Sequence, residues 1–147
     1  MSITKEDYTG NQLNIRGYYY SNPEKDNDSK AYVFFSNGTF LWSYGDYDSL
    51  QMGLVNWPGT EIRKDDPVFW GAYNITGAQI IMEKCDIGKC RLTTEFMKGT
   101  VINDTTFILE SYEHRKNGKP STSRIIEETY NLYQTSNKPD SSNNVFD

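Results

Sequence analysis

The chain has 147 residues, 36% hydrophobic and 24% charged, with a formal net charge of −5. That length makes one ordinary domain, the balance excludes a disordered polymer, and no apolar run is long enough for a transmembrane helix. The densest basic stretch, EHRKNGKP, reads as a hairpin turn rather than a phosphate-tracking surface, so neither nucleic acid nor an anionic membrane is expected as a partner.

The first residues, MSITKEDYTGNQ, are polar and hold no signal-peptide core. The chain is then either cytoplasmic or begins after a removed export segment. LNIRGYYYS (Leu13 to Ser21) reads as the first strand. Side chains alternate along a strand, so Tyr18 and Tyr20 share one side and Tyr19 takes the other. The expectation turns Tyr18 and Tyr20 toward the interior and Tyr19 outward or toward the helix-like segment that follows the first hairpin. After the turn-rich SNPEKDNDSK comes AYVFFSNGTFLWSY, two aromatic runs around Asn37-Gly38, a strong hairpin signal of the type I′ kind. A two-residue turn there pairs Phe35 with Phe40 and Val33 with Trp42 on one side, and Phe34 with Leu41 on the other. Both sides are apolar, so both should be covered.

The segment from Asp46 to Asp66 breaks the strand pattern. Leu50, Leu54 and Trp57 stand at helical spacing, Asp48 or Ser49 offers a cap, Gly53 weakens the helix and Pro58 ends it. A short helix or ordered loop lying on the strands is expected. PVFWGAYNITGAQIIMEKC is a second hairpin, turning at Thr76-Gly77, with Phe69, Gly71, Tyr73, Ile75, Ala78, Ile80 and Met82 on its core face. RLTTEFMKGTVINDTTFILESYEHR gives two strands joined at Asn103-Asp104, Asn117-Gly118 starts another turn, and SRIIEETYNLYQ is the last strand. Residues 135–147 read as a flexible polar tail behind a single domain of residues 1–134. No βαβ alternation appears. The fold class expected is all-β, an eight-stranded antiparallel up-and-down barrel with one short helix or ordered loop. Closure removes both sheet edges and leaves room for one small ligand.

These hairpins carry a family resemblance. GYYYS opening the first strand, WGAYNITGAQIIME and GTVINDTTFIL together resemble bacterial lipocalin-like proteins, small secreted or lipid-anchored barrels of the calycin group. The stretch of chain involved is about three quarters of the whole. Lipocalins proper begin with G-x-W. Here Gly17 is followed by Tyr18 and Tyr19, so tyrosine stands in for tryptophan, and TYNLYQ offers no arginine to cover it. The resemblance implies a barrel that binds a small molecule outside the cytoplasm. A lipid anchor would sit on a cysteine upstream of this sequence, since neither Cys85 nor Cys90 is placed for it.

Cys85 and Cys90, in CDIGKC, suit a loop disulfide better than chemistry. A redox pair needs two intervening residues and a zinc site four ligands. So small a loop stabilises by roughly 2 kcal/mol in the chain-entropy model, and a bridge implies an oxidising, extracytoplasmic compartment. The aromatic content, 11 Tyr, 7 Phe and 3 Trp, supplies the candidate lining of a ligand cavity. Tyr18, Tyr20, Tyr73, Met82, Phe96, Tyr112 and Tyr130 are the expected lining, with Trp42 and Trp57 at the rim or in a lid. The competing reading is that the same rings merely fill a core. His114, the single histidine, sits beside Arg115 and Lys116 and reads as a surface residue. Asp26-Asn27-Asp28 lacks the glycine and closing glutamate of a calcium loop. No cofactor, metal or nucleophile motif stands out, and a non-catalytic protein holding a small apolar or amphipathic molecule in the barrel is expected, with a surface interaction or scaffold protein around a filled barrel core as the alternative.

Overall fold

The computed structural model describes residues 2–22, 27–50, 69–85 and 93–134. Eight strands follow in chain order: β1 (Gly17–Ser21), β2 (Asp28–Phe34), β3 (Thr39–Asp46), β4 (Trp70–Thr76), β5 (Gln79–Cys85), β6 (Thr93–Asn103), β7 (Thr106–Lys116) and β8 (Lys119–Gln134). Each runs antiparallel to the next. β1 also pairs with β8, from Gly17↔Gln134 to Ser21↔Tyr130, so the sheet closes on itself. The expected eight-stranded up-and-down barrel is the architecture found.

Two apolar clusters lie on the two faces of this wall. The first takes Tyr19, Tyr32, Phe34, Phe40, Tyr73, Met82, Met97, Phe107, Leu109 and Tyr130, side chains from all eight strands, and is therefore the barrel interior. The second joins Tyr18, Tyr20, Ala31, Val33, Phe35, Leu41 and Trp70 with Leu50, on the outer face of β1 to β4. The β2–β3 hairpin is thus covered on both sides, as its composition implied. In β1 the facing is the reverse of the expectation. Tyr19 points inward, and Tyr18 and Tyr20 point out of the barrel. A period of two leaves no intermediate, so the inversion moves every side chain at once.

The β2–β3 register differs for a local reason. Phe35 N donates to Thr39 O at 2.9 Å and Gly38 N to Phe35 O at 3.2 Å, which closes a loop of three residues, Ser36-Asn37-Gly38, rather than two. Only Gly38 there has a positive φ, 76°, as in a turn followed by a one-residue bulge. The extra residue shifts the pairing to Phe34↔Phe40, Val33↔Leu41 and Tyr32↔Trp42. Phe34, not Phe35, therefore shares the interior with Phe40. The β4–β5 turn, at Gly77-Ala78, falls one residue later than expected but keeps two residues. The pairing moves by a whole pleat period, and Tyr73, Ile75, Ile80 and Met82 keep the inner face assigned to them.

A helical turn begins at 47–50, where the chain leaves β3. Its cap is Asp46, whose Oδ2 accepts from Ser49 N at 3.0 Å, in place of Asp48 or Ser49. That bond, followed by one from Asn27, holds the Asp46 carboxyl below its ordinary pKa. Leu54, Trp57 and Pro58 lie outside the described residues.

The segment before β1 closes one end of the barrel. Tyr8 N donates to Ser36 O and Asn14 N to Asp104 O, each at 2.7 Å, so the segment is strung between two turns of that end. Leu13 plugs the interior, and the Tyr19 hydroxyl lies within hydrogen-bonding distance of Asn14 O and Asp104 O, at 2.8 and 2.9 Å. Farther up the chain, the same arm is latched to the outer wall. Glu83, fully buried, accepts from Thr94 Oγ1 at 2.6 Å, from Ile3 N at 2.8 Å, and from Ser2 N and Oγ. Burial works to raise the Glu83 pKa, but these four donors outweigh it and hold the carboxyl below its usual value.

Candidate ligand-binding site

The interior changes character along its axis. Toward the capped end it is rings on rings. Phe107 and Tyr130 stack with centroids 4.9 Å apart, Phe34 meets Tyr73 edge-on at 4.9 Å, Tyr19 meets Phe107 at 5.3 Å, and Tyr32 meets Tyr130 at 5.1 Å. Such contacts leave no room for a guest among them. The competing reading, rings as core filling, describes this half.

Toward the other end, where the β1–β2, β3–β4 and β5–β6 connections lie, the inner face turns polar. Lys30 is two residues before Tyr32, Lys84 two after Met82, Glu95 two before Met97, and Glu128 two before Tyr130, so alternation puts all four on the inner face. Lys30 Nζ donates to both oxygens of Glu128, at 2.7 and 2.9 Å, and Tyr130 Oη donates to Glu128 Oε2 at 2.6 Å. Lys84, 4% exposed, pairs with Glu95 at 2.7 Å, and its Nζ also stands 4.0 Å from the centroid of the Trp42 ring. Arg124 lies over the Tyr112 ring at 5.1 Å. Across the β6–β7 register Glu95 stands opposite His114, which is exposed, as its neighbours implied.

Below this charged tier, Tyr32, Tyr112 and Tyr130 form the floor. Burial raises the pKa of each, to about 12 for Tyr112, so all three are neutral hydroxyls at any physiological pH. Tyr32 donates to the Met97 thioether at 3.6 Å. The expected lining residues therefore divide. Tyr73, Met82, Tyr112 and Tyr130 belong to the interior cluster, and Trp42 packs half-buried against it. Tyr18 and Tyr20 do not. Nor does Phe96, whose neighbour Met97 takes the inner face; Phe96 lies on the outer wall under the Arg115 guanidinium, 3.6 Å from its ring. Trp57 and Cys90 lie outside the described residues, while Cys85 is buried at the end of β5.

The charged tier went unpredicted, although one signal for it stood in the sequence. Lys30, Lys84 and Glu128 fall in phase with large apolar residues of their own strands, which is unusual for solvated charges. Two clefts of about 270 and 440 Å³ flank residues 8–10 outside the capped end. They are open and polar, lined among others by Glu6, Asp7, Gln12, Asn14 and Arg16, and the buried Tyr73 that borders the first spends its hydroxyl on Phe35 O at 2.8 Å. The inner wall is the better site. Among the described residues no helix is long and apolar enough to cross a membrane, and no three acidic, histidine or cysteine side chains gather as metal ligands. Comparison of the chain with protein-family models, with curated proteins and with solved structures finds no match.

Proposed function

We propose that the protein is a non-catalytic binding protein that holds one small amphipathic molecule inside the barrel, at the end away from the N-terminal segment. The observation that carries this reading is the change of character along the inner wall. A packed aromatic floor gives way to Trp42 and Tyr112 beside half-buried charged groups, the mixture of apolar wall and few polar contacts that small-molecule sites have. The filled half limits the depth of the site, so the guest is short. Its affinity comes from apolar area laid against Trp42, Tyr112 and the floor, at roughly 25 cal/mol per Å2 before association costs.

Membership of the lipocalin-like group and work outside the cytoplasm belong to the same proposal. In their support, the barrel is closed and up-and-down, and Tyr19 faces inward at the position where G-x-W carries its tryptophan. No free cysteine occurs among the described residues, which supports a Cys85–Cys90 bridge. Native mass spectrometry after mild purification is the test. A one-to-one adduct that is lost on denaturation is expected. Only the bare chain mass under every gentle condition, with nothing small released on unfolding, overturns it.

The packed rings of the capped half favour a second reading, a scaffold whose barrel is only a core. Tyr44 and Tyr133, both exposed, would then belong to a partner surface. Sedimentation at several concentrations separates the two, because a strict monomer at all of them removes the self-associating form of the scaffold.

A further inference from the structure

We propose that Asn117-Gly118, the tip of the β7–β8 hairpin, is a site of spontaneous covalent modification, where Asn117 converts to isoaspartate and aspartate while the contacts around the chain's other Asn-Gly pair, Asn37-Gly38, keep that one intact. The proposal does not rest on the binding-protein reading. The chain holds these two Asn-Gly pairs, and glycine after asparagine leaves the attacking nitrogen unshielded by a side chain.

The step uses water and no other reagent. The Gly118 main-chain nitrogen gives its proton to solvent base and attacks Cγ of Asn117. A C–N bond forms there, the bond from Cγ to the side-chain nitrogen breaks, and that nitrogen takes a proton from solvent and leaves as ammonia. Water then opens the cyclic imide. Opening at the main-chain carbonyl leaves isoaspartate, and opening at the side-chain carbonyl leaves aspartate. Nothing is oxidised or reduced, and a neutral amide has become a carboxylate.

Attack requires the peptide between the two residues to rotate until its nitrogen faces Cγ, so freedom of the turn sets the rate. Asn117 and Gly118 are both exposed, with φ of 52° and 75°, the two positive values of a type I′ turn. A Cβ added at Gly118 would meet nothing within 4 Å, so the space around the turn is open. The Asn117 side chain makes no hydrogen bond to a described residue. Lys116 stands opposite Lys119 where the turn closes, and like charges facing each other weaken that closure. The same ammonium groups favour the anionic nitrogen that attacks and the carboxylate that results.

Asn37-Gly38 has the same reacting atoms without that freedom. Asn37 Oδ1 accepts from Thr39 N at 3.2 Å and Thr39 Oγ1 at 2.7 Å. Gly38 is buried, its N donates to Phe35 O at 3.2 Å, and its O accepts from Tyr73 N at 2.9 Å. The N-terminal segment crosses directly over it, with Tyr8 N donating to Ser36 O at 2.7 Å. Rotation here means undoing several contacts at once.

Ageing the full native chain at mildly alkaline pH, followed by peptide mapping with mass spectrometry, tests the proposal. Modified peptides carry the mass gain of exchanging NH2 for OH, and isoaspartyl and aspartyl forms separate on chromatography. In the native chain Asn117 should convert at least about tenfold faster than Asn37, because the clamped turn reacts only through local opening. In guanidinium chloride the two should convert within about twofold of each other, since unfolding removes the clamp. Asn117→Asp, an exposed change that alters charge alone, should co-migrate with the aged native chain on isoelectric focusing. Equal rates at the two sites in the native chain, an Asn117 that stays intact there while the denatured chain converts, or a rate ratio unchanged by denaturation overturns the proposal.

Discussion

The Tyr20 hydroxyl is buried with no hydrogen-bond partner, and desolvation raises its pKa. Removing it therefore costs no bond and relieves a desolvated polar group. Tyr20→Phe should leave stability unchanged or raise it by about 1 kcal/mol, read as the urea midpoint at fixed m-value. Glu83 is the opposite case, a buried carboxylate with a full set of donors. Glu83→Gln replaces one acceptor oxygen by a donor facing N–H and O–H groups, and should cost about 1–3 kcal/mol. Its pH dependence has a definite sign. The folded carboxyl titrates below the unfolded value of about 4.3, so its contribution is fully present above that value. It is lost as pH falls through the lower, folded pKa. Urea midpoints of the native chain and Glu83→Gln should converge with acidification below about pH 4. A gap that stays constant down to the lowest accessible pH would contradict the assignment.

Hairpins decide how much could be read in advance. Turn signals at Asn37-Gly38, Gly77, Asn103-Asp104 and Asn117-Gly118 indicate the number and order of strands, and at Gly38, Gly77, Asn117 and Gly118 the reversal uses the positive φ that glycine and asparagine supply. Loop length was harder. Sliding a two-residue turn along by one position preserves which side chains share a face, and so Tyr73 and Met82 were placed correctly. Lengthening a loop by one residue does not, and so Phe34 and Phe35 exchanged roles. Tyr18 and Tyr20 were misplaced for a related reason: an apolar outer face, buried under Leu50 and Trp70, looks the same in sequence as an inner one. The polar inner tier was hidden because a lysine on a strand normally marks solvent. At Gly38 the turn can be tested. Its φ is 76° and a Cβ would stand 2.1 Å from Glu6 O in the crossing N-terminal segment. Gly38→Ala should cost about 2 kcal/mol or more, against a few tenths for a tolerated surface change.

For the molecule as a whole, closure joins residues 17–21 to 130–134, the two ends of the barrel sequence. No strand can be finished locally, since the pairing that removes the last edge spans most of the chain. Refolding is expected on the millisecond-to-second scale of non-local β topologies, as a single transition in which tryptophan fluorescence and far-ultraviolet dichroism coincide. The shared ring lattice binds the strands to one another across the axis. Phe107→Ala, which removes a ring touching Tyr19, Phe34, Tyr32 and Tyr130, should cost about 3–5 kcal/mol and speed unfolding. Noncoincident transitions by the two probes would mean that one side of the wall melts independently.

That wall is not uniform around its circumference. Its first three strands are pressed between rings within and rings without, whereas the far half of β8 shows both sides to water, with Ile125 almost fully exposed. Descendants of this gene should drift unevenly as a result. Substitutions would accumulate freely at Ser121 to Ser123 and at Ile125, and a tag or dye attached at Ile125 would go unnoticed by the rest of the molecule, while Tyr18 to Tyr20 would hardly change in the same span of time.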